Sequence, residues 1–260
     1  MTNLRNIKGY LFDLDGVIYV GDQAVSGAVE TVKRFKEEGV PIRFVTNTSA
    51  TPLSAVMAKL ERLGVAVEPS EVFTATVAAR TYLKQQGLRH CLAVLNPEVA
   101  EEFRDYLAPD DASVEAVLIG EIGDGWNYDL LNRIFHLVLN GAQLIALHKG
   151  RFWKTAAGLR LGIGGFVAGL EYATGTKAVV IGKPMPAFFE LGVASLGLPK
   201  HEVAMVGDDI DSDVGGAQAC GLTGVLVRSG KYNEAYVQKS RIRPDVTIDG
   251  IRDLPRLINA

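Results

Sequence analysis

Short apolar runs rich in β-branched residues alternate with longer helical patterns along this chain. The first run lies at about 8–13 and the second at 42–47, and the helical pattern between them ends at Gly39. Strands separated by helices in this way are typical of βαβ units, in which neighbouring strands run parallel. The sequence therefore predicts an α/β fold with a Rossmann-like parallel-sheet core.

The middle of the chain repeats this alternation with elements of its own. Further strand-like runs lie near 91, 116 and 144, and then at 178–182, 203–208, 224–227 and 246–248. No proline-rich or low-complexity linker separates these groups, and the polar motifs described below occur only in the flanking segments. We therefore expect a discontinuous catalytic core, residues 1–86 and 179–260, and an inserted α/β cap at 87–178 that selects the substrate.

The overall charge of the chain limits its partners. The 260 residues carry a formal net charge of -3, which provides no bulk attraction to nucleic acid or to anionic lipid.

No window approaches the roughly 18 apolar residues of a membrane span. Asp13 and Asp15 interrupt the N-terminal apolar run, and Cys91 and Cys220 lie far apart. We expect a cytoplasmic protein without a secretory signal, a membrane partner or a nucleic-acid partner.

Polar residues follow four of the strand-like runs. In open parallel sheets, ligands collect at the carboxyl ends of the strands, so these positions are candidates for a common site. They are Asp13 and Asp15 in "DLDG", Thr46 and Asn47 in "VTN", Lys183 in "GKP", and Asp208, Asp209 and Asp213 in "GDDIDSD".

These residue types are suited to phosphate chemistry. Carboxylates at Asp13, Asp15, Asp208 and Asp213 would form a hard-oxygen pocket for Mg²⁺, and Lys183 would offset part of their charge. Thr46 and nearby backbone N–H groups could bind phosphate oxygens. An aspartate is also a feasible nucleophile, since an aspartyl-phosphate divides one difficult displacement into two easier ones.

Each motif alone also has an ordinary structural explanation. "DLDG" could be a strand ending in a polar turn, and the acids of "GDDIDSD" could simply favour a helix N-terminus. An EF-hand is excluded because Val214 occupies the glycine position and Cys220 the final glutamate position. "VVIGKP" lacks the Ser or Thr of a phosphate-binding loop, and no zinc-ligand spacing is present. Only the four motifs together, in this order, favour a catalytic site.

The set "DLDG", "VTN", "GKP" and "GDDIDSD" resembles the haloacid dehalogenase superfamily of phosphatases. The resemblance implies that Asp13 is the nucleophile and Asp15 the general acid and base. It implies that Lys183 orients Asp13 and the phosphate. The remaining implied roles are phosphate contacts from Thr46 and Asn47, Mg²⁺ ligation by Asp13, Asp208 and the Asp15 backbone carbonyl, and support of that site by Asp213 and Asp209. Gly16 would let the backbone turn sharply beside the phosphate.

The insertion resembles the large α/β cap of one branch of this superfamily, which includes nucleotide-monophosphate and p-nitrophenyl phosphatases. Segment 144–184 looks like the phospholysine phosphohistidine inorganic pyrophosphate phosphatase group. His148, Lys149 and Arg151 form a basic cluster in this insertion and are candidates for binding an anionic leaving group. The alternative is that they are solvated loop charges.

We therefore expect a Mg²⁺-dependent phosphatase that hydrolyses phosphate monoesters of small molecules through an aspartyl-phosphate. Pyrophosphate, phosphohistidine and phospholysine are further candidate substrates. A phosphotransferase or phosphomutase using the same intermediate is an alternative, and so is a non-catalytic module that binds a phosphate ligand. The expected partner is a small phosphorylated substrate, with homodimer formation left open.

Overall fold

The structure is a computed structural model that describes residues 4–155 and 158–258, without the side chains of 153–155, 159 and 258. Contacts between residues divide the chain into two compact units. The first unit comprises Met1–Thr46, Leu53–Phe73 and Lys183–Ala260, and the second comprises Asn47–Pro52 and Thr74–Gly182. The second unit therefore includes residues 47–52, 74–86 and 179–182, which the sequence-based boundaries assign to the core.

The elements are numbered in chain order. The strands are β1 (Gly9–Phe12), β2 (Tyr19–Val20), β3 (Gln23–Ala24), β4 (Ile42–Thr46), β5 (Val72–Thr74), β6 (Cys91–Val94), β7 (Ala116–Ile119), β8 (Gln143–Ala146), β9 (Phe152–Thr155), β10 (Gly158–Leu161), β11 (Val179–Val180), β12 (Val203–Gly207), β13 (Thr223–Val227) and β14 (Val246–Ile248). The α-helices are α1 (Ala28–Glu37), α2 (Leu53–Arg62), α3 (Ala75–Gln86), α4 (Pro97–Ala100), α5 (Tyr128–Leu139), α6 (Ile163–Thr174), α7 (Pro186–Leu196), α8 (Gly216–Cys220), α9 (Glu234–Lys239) and α10 (Leu254–Ile258). A π-helix spans Ile210–Gly215.

The first unit is built on a six-stranded sheet in the order β14-β13-β12-β1-β4-β5. Strand β1 is parallel to both of its neighbours, with Phe12 opposite Val206 of β12 and Phe44 of β4. All four residues of β1 are buried, as expected for a central strand covered on both faces. The rings of Tyr10 and Phe12 lie 5.2 and 6.0 Å from the ring of Phe35 on α1. This packing anchors the strand that leads into Asp13.

The second unit contains a parallel sheet in the order β11-β8-β7-β6. Helix α5 packs against α6, and both helices place apolar residues against this sheet in one buried cluster. An antiparallel hairpin, β9–β10, precedes α6. The predicted α/β class, with a parallel-sheet core and an additional α/β unit, is confirmed.

One predicted strand lies in a different sheet from the one expected. The sequence places "AVVIG" at 178–182 among the strands of the core, but β11 pairs with β8 of the second unit, with Val179 opposite Ile145. The assignment to the core was wrong because a short apolar run indicates only that a strand is buried. It does not indicate which sheet the strand joins. The first unit resumes at Lys183, two residues after Ile181. Among the described residues, no helix combines the length and apolar composition needed to cross a membrane.

Candidate active site

Three aspartates of the first unit converge at the carboxyl ends of adjacent strands. Asp13 follows β1, Asp208 follows β12, and Asp213 lies in the π-helix after β12. All three are buried, and one carboxylate oxygen from each lies within 4.8 Å of the others. Because β1 and β12 are parallel neighbours, residues that follow them must lie at the same edge of the sheet. The geometry brings the first and fourth motifs together.

Lys183 joins this cluster from the third motif. Its Nζ lies 2.9 Å from Asp13 Oδ1 and 2.7 Å from Asp213 Oδ1. Burial alone would lower the pKa of Lys183, but the charges of Asp13 and Asp213 outweigh it and raise the pKa above its ordinary value. The ammonium is therefore held charged between the nucleophile candidate and the fourth motif.

Two of the three carboxyl groups in this cluster, those of Asp208 and Asp213, have raised pKa values. Burial, followed by the charges of Asp13 and Asp213, raises the pKa of Asp208 to about 8. Burial also raises the pKa of Asp213 to about 6, although Lys183 acts in the opposite direction. Three acids packed in this way repel one another, and a further cation would relieve that repulsion.

The donor set fits a magnesium ion. Asp208 Oδ2 accepts a 2.7 Å hydrogen bond from the backbone N–H of Lys231. Its other oxygen, Oδ1, is buried and has no hydrogen-bond partner among the described residues. A buried carboxylate oxygen without a partner is costly unless the group is protonated or a cation binds it, and carboxylate oxygens are the ligands that Mg²⁺ prefers. Asp13 and Asp208 are thus suited to hold the ion expected from the sequence.

Position 16 requires glycine because the side chain of Asp208 lies against its backbone. The backbone of Gly16 has a φ of 84°, which favours glycine. A Cβ built at this position would overlap the carboxylate of Asp208. The N–H of Gly16 donates to the carbonyl of Tyr19 at 2.7 Å, which closes the turn after Asp15. The predicted sharp turn is present, and the structure supplies a further reason for glycine: the backbone must pass directly over Asp208.

Asp15 is exposed in this turn, unlike Asp13. Protein groups surround the carboxyl group closely enough that desolvation raises its pKa, while the positive charges of Lys59, Lys231 and Lys183 oppose the shift. A raised pKa favours the protonated form, which a general acid needs. The accessible position also suits a group that must meet both a leaving group and water.

Lys59 and Tyr19 lie near Asp15. Neither residue belongs to the four sequence motifs, so the sequence did not indicate them. The Nζ of Lys59, on α2, lies 3.7 Å from the centroid of the Tyr19 ring. Tyr19 is buried in β2, which pairs with β3 in a short hairpin after Gly16. Lys59 has the largest electrostatic effect on Asp15 among the lysines.

Asp209 organises the fourth motif. Its carboxylate accepts the backbone N–H groups of Asp211 and Ser212, both at 3.0 Å, and so caps the π-helix. Its own N–H donates to Asp213 Oδ2 at 3.1 Å. Burial would raise the pKa of Asp209, but the N–H groups of Ser212 and Asp211 and the charge of Lys231 hold it below its ordinary value. Asp209 therefore holds Asp213 in place from the backbone.

The second motif is divided between the two units. Thr46 is buried at the carboxyl end of β4, next to β1 in the first sheet. Asn47 is the first residue of a segment of the second unit. There, a Cβ added to Gly182 would overlap the side-chain oxygen of Asn47, which explains the glycine of "GKP". The phosphate-binding roles of Thr46 and Asn47 stay predictions.

The basic cluster of the second unit, His148, Lys149 and Arg151, contacts neighbouring side chains. Lys149 Nζ lies 2.8 Å from Glu171 Oε2, and Glu171 is buried. His148 Nε2 lies 3.1 Å from Ser49 Oγ, while its Nδ1 accepts the N–H of Gly150. The guanidinium of Arg151 lies 5.8 Å from the Phe152 ring centroid. A role for these three residues in binding the leaving group stays a prediction.

Comparisons with known proteins cover nearly the whole chain. A model described as haloacid dehalogenase-like hydrolase matches residues 10–107, and one described as HAD-hydrolase-like matches residues 180–254. The human haloacid dehalogenase-like hydrolase domain-containing protein 2 is 39% identical over 249 residues, which cover 96% of this chain and 95% of the relative. The human phospholysine phosphohistidine inorganic pyrophosphate phosphatase is 36% identical over 261 residues, 98% of this chain and 95% of the relative.

Solved structures of phosphatases also resemble this chain over nearly its whole length. The p-nitrophenyl phosphatase from Archaeoglobus fulgidus superposes with a TM-score of 0.90 and 29% identity, covering 96% of this chain and 98% of that one. The 4-nitrophenylphosphatase from Thermotoga maritima superposes with a TM-score of 0.90 and 26% identity, covering 98% of each chain.

The chain belongs to the haloacid dehalogenase-like hydrolase family. The resemblance inferred from the four motifs is confirmed, and the chain is an enzyme of the hydrolase class with phosphatases among its relatives.

Proposed function

We propose that this chain is a Mg²⁺-dependent phosphatase that hydrolyses phosphate monoesters of small molecules through an aspartyl-phosphate on Asp13. The observation that carries the proposal is the buried cluster at the carboxyl edge of the first sheet. In it, Lys183 holds Asp13 and Asp213 at hydrogen-bond distance, and Asp208 Oδ1 is buried without a partner among the described residues. The phosphatase names of relatives and solved structures support the same reaction class.

In the first step, an Asp13 oxygen attacks phosphorus and the bond to the leaving-group oxygen breaks. Asp15, whose raised pKa favours the protonated form, gives that oxygen its proton. In the second step, the Asp15 carboxylate takes a proton from water, the water oxygen bonds to phosphorus, and the bond from phosphorus to Asp13 breaks. Inorganic phosphate leaves, and both aspartates return to their starting forms.

Lys183 acts on both steps. Its ammonium fixes the orientation of Asp13 and places positive charge where the transferring phosphoryl group gathers negative charge. Asp13, Asp208 and the backbone carbonyl of Asp15 would hold the magnesium ion, with Asp213 beside them. When bound, the ion offsets negative charge on the phosphoryl group.

The substrate class is a proposal as well. The names of the solved structures favour a small aryl phosphate as a test substrate. The name of the human relative adds pyrophosphate, phosphohistidine and phospholysine as candidates. A cytoplasmic location belongs to the same proposal, and it is supported by Cys91 and Cys220, which are both buried and free.

The nucleophile is tested with Asp13→Asn, in which the amide keeps the shape of the side chain but is a poor nucleophile. We expect turnover of p-nitrophenyl phosphate, pyrophosphate and a panel of phosphorylated metabolites to fall at least about 100-fold. Asp22→Asn, at an exposed position, is the matched control and is expected to keep wild-type turnover. Activity of Asp13→Asn close to that of wild type would exclude the aspartyl-phosphate route.

Metal dependence is tested separately. Chelation with EDTA is expected to abolish turnover, and Mg²⁺ in excess is expected to restore it. Ca²⁺ is expected to fail, because its looser and higher coordination does not hold the in-line geometry of phosphoryl transfer. Full turnover in EDTA would contradict the metal requirement while leaving the Asp13 result intact.

A further inference from the structure

The segment Ser229–Gly230–Lys231, which we call the 229–231 clasp, contacts both the first and the fourth motif. It follows β13 at the carboxyl edge of the first sheet. The hydroxyl of Ser229 donates to the backbone carbonyl of Gly16 at 2.5 Å. The N–H of Lys231 donates to Asp208 Oδ2 at 2.7 Å. Three segments that are distant in the sequence are joined by these two hydrogen bonds.

Gly230 brings the backbone of the clasp into direct contact with the site. It has a φ of 58°, in the left-handed region. A Cβ built on Gly230 would overlap Asp208 Oδ2 and would also crowd the Cα of Gly16. The Asp208 carboxylate is thus enclosed between two glycines, one in each segment, and neither position has room for a side chain.

We propose that the 229–231 clasp is a positioning element for magnesium binding, which fixes Asp208 so that Oδ1 is presented to the ion. The inference rests on the proposed function, because it requires a magnesium site at Asp208. With Oδ2 held by the Lys231 N–H and the carboxylate enclosed by Gly16 and Gly230, the carboxylate has little freedom to rotate. The oxygen that remains buried and unpaired among the described residues is the one free to bind a cation.

A fixed carboxylate matters particularly for magnesium. Mg²⁺ demands near-ideal octahedral geometry and binds few protein ligands directly, so an error in one ligand is poorly tolerated. Groups that hold a metal ligand in place typically change metal affinity by about 10- to 100-fold when they are altered. The clasp supplies such a group through its backbone.

The side chain of Lys231 does not carry this role. This side chain is 55% exposed, and its Nζ lies 4.0 Å from Asp209 Oδ2. Its positive charge acts on Asp13, Asp208 and Asp213, and therefore opposes the binding of a second cation. Removing the side chain keeps the N–H that holds Asp208, so the backbone and side-chain effects can be separated.

The test compares Gly230→Ala with Gly197→Ala by isothermal titration of the metal-free protein with MgCl₂. Gly197 ends α7 at a φ of 67°, and a Cβ there meets nothing within 4 Å. Both variants place alanine in a left-handed backbone, but only Gly230→Ala pushes against Asp208. We expect Mg²⁺ affinity to fall about 10- to 100-fold in Gly230→Ala and to stay at the wild-type value in Gly197→Ala.

Activity gives a second readout. If Gly230→Ala weakens only metal binding, raising the Mg²⁺ concentration should restore most of its turnover. A variant that had lost the shape of the site for another reason would not recover in this way. Equal Mg²⁺ affinity in Gly230→Ala and wild type would overturn the clasp while leaving the proposed function standing.

Two further variants cover the case in which Gly230→Ala does not fold. Ser229→Ala removes the bond to Gly16 and is expected to weaken Mg²⁺ binding, whereas Lys231→Ala is expected to bind Mg²⁺ at least as tightly as wild type. Unchanged affinity in Ser229→Ala, or weakened affinity in Lys231→Ala, would contradict the inference. Absence of saturable Mg²⁺ binding to the wild type would overturn the proposed metal function itself, and the clasp with it.

Discussion

Lys183 Nζ lies 2.7 Å from Asp213 Oδ1, and the two side chains are only 2% and 0% exposed. The pair joins the third motif, which follows the second unit in the chain, to the fourth motif after β12. Two charges removed from water in this way are stable only while each has its partner, because the cost of desolvation greatly exceeds that at the surface. Removing either partner would therefore leave an uncompensated buried charge in the first unit.

Replacing Lys183 tests both contributions. In Lys183→Met, the buried carboxylates of Asp13 and Asp213 lose the ammonium that they share. We expect the free energy of unfolding in EDTA at neutral pH to fall by about 3–5 kcal/mol, the usual cost of breaking a buried pair. We also expect kcat/KM to fall at least about 100-fold on every substrate alike, since the phosphoryl group is common to all of them. Denaturant unfolding and steady-state kinetics measure the two effects.

Lys200→Met is the matched control for that variant. Lys200 lies 2.6 Å from Glu190, but the two side chains are 44% and 50% exposed. Exposed pairs contribute about 0–1 kcal/mol, so stability and turnover should stay near wild type. Equal stability losses in the two variants would show that burial of the Lys183 pair has no special energetic weight.

Lys59 is expected to set the pH dependence of turnover through Asp15. Its positive charge favours the carboxylate and therefore opposes the rise in the pKa of Asp15. In Lys59→Met this opposition is lost, the pKa rises further, and the limb of the kcat/KM profile that Asp15 controls should move to higher pH. Lys33→Met is the control, because Lys33 is exposed and pairs with Glu37 at the surface. A profile that does not move, or moves to lower pH, would contradict the assignment.

The core of the first unit contains a polar group that is available for a stability test. The hydroxyl of Tyr10 on β1 is buried and has no hydrogen-bond partner among the described residues, and burial raises its pKa. A buried polar group without a partner costs about 1–3 kcal/mol. Tyr10→Phe keeps the ring contacts with Phe12 and Phe35, so we expect equal or higher stability, by up to about 1 kcal/mol. A clear loss of stability in thermal unfolding would show that the hydroxyl has a partner.

Much of this arrangement could be predicted from the sequence. Parallel strands end at one edge of a sheet, so residues following β1 and β12 had to lie near one another wherever those strands paired. The separation of Asp13 and Asp208 in the chain did not matter for that argument. The same rule does not assign roles, and the functional roles of these residues stay predictions until they are tested.

Other parts could not be predicted, because they depend on contacts without a local signal. Lys59 has an ordinary helical position, and only the fold brings it over the Tyr19 ring. The 229–231 clasp combines the Ser229 hydroxyl, the glycine at 230 and the N–H of Lys231, and nothing in that short segment of sequence indicates that these groups contact Gly16 and Asp208. The pairing of β11 with β8 also follows from tertiary packing, which a short apolar run does not specify.

The ion pair between Lys149 and Glu171 allows a direct test of what the basic cluster of the second unit does. Burial alone would raise the pKa of Glu171, but Lys149, the N–H of Ala178 and Lys177 hold it below its ordinary value. In Lys149→Ala, the buried carboxylate loses its nearest cation, and we expect the free energy of unfolding at pH 7 to fall by about 1–3 kcal/mol. Arg151→Ala, at an exposed position, is expected to change stability by less than about 0.5 kcal/mol.

The pH dependence identifies the cause of that loss. A carboxyl group whose pKa is depressed in the folded state stabilises the protein above its unfolded-state pKa, and the contribution disappears as the pH falls through the folded-state pKa. The stability difference between wild type and Lys149→Ala should therefore shrink as the pH is lowered from 7 to about 3. If Lys149 instead binds the leaving group, its removal should raise KM for large phosphorylated substrates and leave stability unchanged. Chemical unfolding across this pH range, combined with KM for a small and a large substrate, distinguishes an ion pair that stabilises the second unit from a contact that selects the substrate.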